Sequence, residues 1–291
     1  MSETIVDIAK FKSKISPDWC PGCGDFGVLS ALQKACATIG LDSKDVMCVS
    51  GIGCSSNLPG FFGSYGMHTL HGRAVAVCQG VRLANPDLTV IATGGDGDGY
   101  GIGIGHFIHA MRRNINITYL VMNNQIYGLT TGQTSPTSGF GVQTKSTPNG
   151  SIENPINPLQ LALVSGATFV ARGFSAAQNQ LSDIMVAAIK HKGFSLVDIF
   201  SPCVTYNKVN TFSWFRERIF NLQDEKHDTS NFKAAFEKAQ ASETRVATGI
   251  FYQTEMQTYE DLEPAYQFGP PAKQKLGLNA EDAKALIASF K

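Results

Sequence analysis

The chain carries no surplus of charge: its 291 residues hold 24 Lys and Arg against 24 Asp and Glu. A nucleic-acid-binding surface normally leaves a basic imbalance, so no such partner is expected. No apolar run is long enough to cross a membrane, and no apolar signal stretch opens the sequence. Without such a leader, the seven cysteines do not read as a secreted disulfide scaffold, and a reducing cytoplasm is the expected setting. Repeats and low-complexity tracts are missing too. What remains is a chain with 43% apolar residues, able to bury a large core in one big α/β domain or two smaller ones.

Apolar runs of strand and helix period alternate as far as Cys203 and predict a doubly wound, mostly parallel α/β sheet. Helices are expected over 26–39, 73–85, 158–165 and 176–190, and strands over 45–50, 88–93, 168–171 and 195–200. Residues 1–210 are expected to form the main domain. From 211 to 291 the polarity rises, with amphipathic helices over 215–222 and 231–241 and a short strand over 248–253. This part is expected to be a C-terminal helical arm on the domain and on a partner chain. The segment 127–157 is rich in Thr, Ser, Gly and Pro, and reads as a long loop of the kind a compact domain keeps for function.

The densest chemistry lies between Gly95 and Gly132. Leu88 to Thr93 is a β-branched apolar run that stops at glycines, the pattern of a buried parallel strand. Asp96 and Asp98 follow it at the carboxyl end. Ile102 to Arg112 carries apolar side chains at helical spacing, and Ile117 to Met122 is a second apolar run ending in Asn123-Asn124. Together they make one βαβ unit, whose right-handed crossover returns both strand ends to one sheet edge, so Asp96 and Asn124 can converge. A carboxylate, an amide oxygen and a backbone carbonyl are hard ligands suited to Mg2+, and the loop glycines let backbone N–H groups approach a diphosphate. The plainer alternative is a glycine-rich turn in which Asp96 caps a helix.

The cysteines divide into two sets. Cys20-Pro-Gly-Cys23 is a CxxC pair on a tight turn, Cys54 follows the apolar run 46–49, and Cys203 follows the run 196–200, so these sit on loops. Cys36, Cys48 and Cys78 fall inside predicted helix or strand and are expected to pack in the core. Loop thiolates in this number fit a tetrahedral zinc site or an iron–sulfur cluster, and a thioredoxin-like pair at Cys20 and Cys23 is a further alternative. Arg112 and Arg113 close a predicted helix and are expected to serve its dipole. His106 and His109 are expected to pack against the sheet.

The Gly-Asp-Gly opening and Asn-Asn closing across one βαβ unit resemble the thiamine diphosphate signature. The longer string, with Ile126-Tyr-Gly-Leu-Thr and Gly132-Gln-Thr-Ser-Pro-Thr, resembles the beta subunit of 2-oxoacid:ferredoxin oxidoreductases. By that likeness Asp96 and Asn124 bind Mg2+ through their side chains and Ile126 through its carbonyl, while Gly95, Gly97, Asp98, Gly128 and Leu129 surround the diphosphate. The loop Gly51 to Ser55 resembles the family's thiamine-contacting segment, which implies contacts from Ile52, Gly53, Cys54 and Ser55. His68 and His71 match a histidine-bearing loop of the family, His68 being the favoured cofactor contact. Cys20, Cys23, Cys54 and Cys203, the last followed by Val-Thr-Tyr-Asn, match the family's ligands to a [4Fe-4S] cluster.

The resemblance implies oxidative decarboxylation of a 2-oxoacid, with coenzyme A accepting the acyl group and electrons leaving through the cluster to ferredoxin, or the reverse carboxylation. Thiamine activation needs a glutamate near the aminopyrimidine, which in this family resides on the alpha chain, so an obligate alpha partner is implied. Lys145-Ser-Thr-Pro-Asn-Gly and the overall pattern are closest to the 2-oxoglutarate enzymes. Many relatives carry a basic residue where Asn57 stands and lysine where Thr131 stands, so the cation for a distal carboxylate is expected from the alpha chain, or else the substrate is pyruvate or another 2-oxoacid. Two other classes stay open, the first disfavoured by the four loop cysteines and the second by the intact Asp96 and Asn124 pair. A non-redox thiamine decarboxylase subunit would need no cluster, and an iron–sulfur carrier would not need Asp96 and Asn124.

Overall fold

The computed structural model describes residues 7–240, 244–275 and 277–290. Its centre is an eight-stranded sheet of order β2-β1-β3-β4-β6-β5-β8-β7. The strands are β1 (Val46–Ser50), β2 (Tyr65–His68), β3 (Thr89–Gly95), β4 (Thr118–Asn123), β5 (Phe169–Phe174), β6 (Ser195–Phe200), β7 (Ile219–Asn221) and β8 (Val246–Gln253). Helices α1 (Asp25–Ile39), α2 (Leu58–Phe61), α3 (Ala74–Ala84), α4 (Ile104–Arg113), α5 (Pro158–Val164), α6 (Gln178–Lys190), α7 (Phe212–Arg216), α8 (Phe232–Lys238), α9 (Tyr259–Leu262) and α10 (Ala280–Ser289) complete it. All pairings are parallel except β5 with β8. Parallel strands need covering on both faces. One face is covered by a cluster around Leu32, Leu120, Met185 and Val197 and the other by a cluster around Phe107, Tyr119, Leu163 and Phe194.

The α/β expectation holds, and most elements start or stop within a few residues of their sequence pattern. Four features differ. Tyr65–His68 forms an exposed edge strand that no alternation announces, since its side chains are accessible throughout. Gly97–Ile102 is a turn of π-helix ahead of α4, because glycines there cannot hold a regular α-helix as firmly as the side chains that follow. The helix expected over 215–222 is instead α7 followed by β7, where Ile219–Asn221 pairs with Val246–Thr248 and the Arg245 guanidinium lies 3.9 Å over the Phe220 ring. The helix expected over 231–241 is α8, and its anticipated last residue, Ala241, lies outside the described residues.

Past residue 211 the chain is therefore not a purely helical arm: β8 enters the sheet beside β5, and β7 pairs with β8 as the edge strand. The histidines of α4 correct a second expectation. His109 is exposed and His106 only half-buried, while Phe107, Ala110 and Met111 take the core face. Arg113, at the last turn as expected, donates to Gln79 Oε1 at 3.0 Å and reaches the His109 carbonyl at 3.5 Å. Among the described residues no helix is long and apolar enough to cross a membrane.

Candidate functional site

Register decides what meets at the carboxyl edge. Ser50 lies beside Thr93, Gly95 beside Met122, and Asn123 beside Phe200, so the loops after β1, β3, β4 and β6 leave the sheet side by side. These loops carry Cys54, Asp96, Asn124 and Cys203 respectively. The pocket above them is lined by Ile52, Gly53, Cys54, Ser55, Gly95, Asp96, Gly97, Asp98, Asn124, Ile126, Gly128 and Leu129, all singled out from sequence. His68 is not among them. It is exposed and faces a neighbouring groove, with Nδ1 3.1 Å from Ser50 Oγ, whereas His71 lines the pocket.

The backbone also stitches the cysteine loops together. Trp19 Nε1 donates to the Cys54 carbonyl at 2.7 Å, Gly24 N donates to the Pro202 carbonyl at 3.2 Å, and Asn207 Nδ2 donates to the Asn124 carbonyl at 2.9 Å. A Cβ on Gly128 would stand 3.5 Å from Cys203 Sγ and 3.8 Å from Cys54 Sγ, so both thiols approach the same backbone. Among the described residues no three His, Cys, Asp or Glu side chains stand in the geometry of a closed metal centre. All seven cysteines are free thiols; Cys36, Cys48 and Cys78 are buried as expected, and Cys20 is exposed with Cys23, Cys54 and Cys203 half-buried. Burial, with the Asp25 carboxylate next in weight, pushes the Cys54 thiol up to about 12 and the Cys23 thiol higher still. A cationic iron or zinc centre is what reverses such a shift, because it binds the thiolate.

The carboxylates have separate tasks. Asp96 is 1% exposed, and burial pushes its carboxyl up to about 6. Its Oδ2 accepts from Thr137 Oγ1 at 2.7 Å and its Oδ1 receives the Asn124 N–H at 3.4 Å. A carboxylate buried so deeply and facing the Asn124 amide and the Ile126 segment suits a divalent cation, which would hold it ionised. Asp98 turns instead toward the loops: its Oδ1 accepts Ile52 N–H at 2.9 Å and Gly72 N–H at 2.7 Å, and lies 3.1 Å from His71 Nδ1. Burial raises the Asp98 carboxyl and these partners oppose the shift. Two close approaches demand glycine: a Cβ on Gly51 would overlap the Asp98 carboxylate, and one on Gly97 would overlap the Tyr127 ring, whose hydroxyl donates to the Gly97 carbonyl at 3.1 Å. The donor set and the open glycine backbone therefore fit a metal-bound diphosphate.

Two pocket residues, Asp25 and Tyr127, escape a sequence reading, and of the two histidines read from one loop His71 is the one that lines the pocket. Asp25 is 2% exposed, accepts from Ser201 Oγ at 2.6 Å, and is pushed up to about 6 by burial; in the sequence it is only the first residue of a helix. His71 looks no different from His68 until β2 ends and the chain turns inward. Tyr127 belonged to a recognised string, but nothing in its spacing announces that it covers Gly97.

Comparisons with known proteins identify the family. Residues 45–199 match the thiamine pyrophosphate enzyme C-terminal TPP binding domain, and residues 203–267 match the C-terminal region of the pyruvate ferredoxin oxidoreductase beta subunit. The chain is 43% identical to the beta subunit of 2-oxoacid:ferredoxin oxidoreductase 1 of Aeropyrum pernix, over 96% of this chain and 92% of that one. It is 48% identical to the 2-oxoglutarate oxidoreductase subunit KorB of Mycobacterium tuberculosis, over 68% of this chain and 53% of that one. A solved 2-oxoglutarate:ferredoxin oxidoreductase from Magnetococcus marinus, with 2-oxoglutarate, coenzyme A and succinyl-CoA bound, superposes with a TM-score of 0.89 at 42% identity, over 98% of this chain and 97% of that one. An eight-stranded sheet with Asp96 and Asn124 at one edge, matched over nearly the whole length, makes this chain a member of the 2-oxoacid:ferredoxin oxidoreductase beta subunits.

Proposed function

We propose that this subunit holds thiamine diphosphate through Mg2+ at Asp96, Asn124 and the Ile126 carbonyl, and a [4Fe-4S] cluster at Cys20, Cys23, Cys54 and Cys203. With an alpha subunit it catalyses CoA-dependent oxidative decarboxylation of 2-oxoglutarate to succinyl-CoA and CO2, or the reverse, exchanging electrons with ferredoxin. The carrying observation is that Asp96, Asn124, Cys54 and Cys203 leave adjacent strand ends of one sheet. Bound thiamine diphosphate supplies the electron sink for decarboxylation. This chain's residues bind, orient and enclose. Gly128 lines the pocket beside the diphosphate, Gly97 takes the Tyr127 ring against its backbone, Asp98 holds the Gly51 to Ser55 loop over the pocket, and Cys54 stands at the boundary of pocket and cluster.

The pocket carboxylates Asp25, Asp96 and Asp98 are already engaged by Ser201, Thr137 and two backbone N–H groups. The activating glutamate is the one that the family resemblance assigns to the alpha chain. The C-terminal part of 211–291 packs on that chain, a reading supported by exposed Phe268, Leu286, Ile287 and Phe290, while 1–210 carries both cofactors. Seven free cysteines support a reducing cytoplasmic setting.

Substrate preference rests on the two 2-oxoglutarate relatives. Asn57, donating to Asp18 Oδ1 at 3.3 Å, and Thr131 are neutral, so an Arg or Lys of the alpha chain faces Asn57, Thr131 or Lys145 to pair the distal carboxylate. A second reading, breadth toward pyruvate and other 2-oxoacids, draws on the general name of the Aeropyrum relative. Steady-state kinetics with ferredoxin reduction as readout separate the two: kcat/KM higher for 2-oxoglutarate supports the first, and kcat/KM equal or higher for pyruvate rejects it. Iron and thiamine assays on the purified complex, with a visible spectrum, test the cofactors.

A further inference from the structure

Thr137 sits midway in the long segment between β4 and α5, yet it is 4% exposed, with its hydroxyl 2.7 Å from Asp96 Oδ2 and 3.0 Å from Asn123 Oδ1. One hydroxyl proton faces two acceptors, and Ser135, whose Oγ lies 3.3 Å from Thr137 Oγ1, is a second hydroxyl at the Asp96 carboxylate. Asn123 Oδ1 already receives the Gln125 N–H at 3.2 Å, and an ionised acceptor makes the stronger bond, so the proton goes to Asp96. Asn123 cannot swing away, because its Nδ2 donates to Asp198 Oδ1 at 3.0 Å. Asp198 is fixed in turn by the Tyr100 hydroxyl at 3.0 Å and by buried Arg172, whose Nε lies 3.5 Å from Oδ2. On the other side of the same turn, Ser138 Oγ donates to the Gln125 carbonyl at 2.7 Å, between Asn124 and Ile126.

We propose that Thr137 is a positioning residue that fixes the Asp96 carboxylate for Mg2+, with Ser138 fixing the Asn124–Ile126 segment, so that one turn of the long loop sets both halves of the metal site. The proposal rests on the reading of Asp96 as a Mg2+ ligand. A carboxylate rotates in a broad, roughly two-fold well about its last torsion, and a hydroxyl on one oxygen removes that freedom before the metal arrives. Arg172 and Asp198 hold Asn123, whose Oδ1 receives the Gln125 N–H, so the 123–126 turn has a buried anchor of its own.

The test uses the complete alpha–beta complex and follows thiamine diphosphate retained after desalting across a Mg2+ titration. Hydrogen-bond partners of metal ligands typically matter about 10–100-fold in metal affinity. Thr137→Val, which keeps shape and removes the hydroxyl, should raise the Mg2+ needed for half-retention by about that factor, and Thr137→Ser should restore it to within about threefold. Thr137→Ala gives the same reading where the valine chain does not fold. A valine or alanine variant that titrates like wild type overturns the proposal, as does a serine variant shifted as far as valine. Wild-type retention indifferent to Mg2+ overturns the Asp96 assignment itself, and the proposal with it.

Discussion

His71 Nδ1 stands 3.1 Å from Asp98 Oδ1, the oxygen that also receives the N–H groups of Ile52 and Gly72. One carboxylate oxygen thereby joins the turn after β3 to the loop after β1 and to the entry of α3. Asp98→Ala should cost about 3 kcal/mol, from bonds to a charged group worth roughly 1.5–3 kcal/mol each, less the burial of the charge. Denaturant unfolding of the purified complex measures this, and hydrogen exchange should speed up at 51–55 and 70–73. Unchanged exchange in both loops would remove Asp98 from this role.

Asp96 answers a different question. Asp96→Ala should abolish thiamine diphosphate retention while the cluster's visible absorption persists, because the thiols come from other loops. Stoichiometric thiamine in that purified variant would contradict the Mg2+ assignment.

The thiols separate in the same way. Replacing any of Cys20, Cys23, Cys54 or Cys203 with Ser should bleach the broad visible absorption, whereas Cys36→Ser, Cys48→Ser and Cys78→Ser should keep it at some cost in core packing. Anaerobically prepared protein with zinc and no iron would point to a structural metal instead.

His191 makes stability depend on pH. It is 7% exposed and bonded through Nε2 to Thr168 Oγ1 at 2.8 Å, and burial holds its pKa below the ordinary value despite nearby Glu255. The unfolded chain therefore takes up a proton near pH 6.5 that the folded one resists, so this contribution is full above that pH and is lost as pH falls below it. Melting temperatures of the complex from pH 7.5 to 5.5 should drop less steeply for His191→Gln than for wild type. Parallel curves would mean that His191 is protonated alike in both states.

The parts legible in the sequence are those where one strong pattern acts alone. The runs of β3 and β4 are apolar because both sheet faces are covered, and their glycine and asparagine ends mark the edge where ligands collect. The exposed strand β2 has no apolar face to show, and β7 is three residues long and held by its pairing with β8. Position within the pocket was legible wherever a residue followed a strand directly, as with Cys54, Asp96 and Asn124. It was not legible for Asp25, which reads only as the first residue of a helix, nor for Thr137, which folds back from the long segment onto Asp96, and the sequence did not show that His71 and not His68 would line the pocket.

The strand order also sets a timetable. The cysteine loops are complete once the ribosome has made residue 203, but β8, which lies between β5 and β7, ends at Gln253. During synthesis a nascent chain can therefore gather its thiols at a sheet edge while β5 still lacks its outer neighbour. An exposed strand border invites pairing with other chains. The interval between residues 203 and 253 is then the stretch of synthesis in which this subunit is most prone to aggregate, and a pause there would lengthen it.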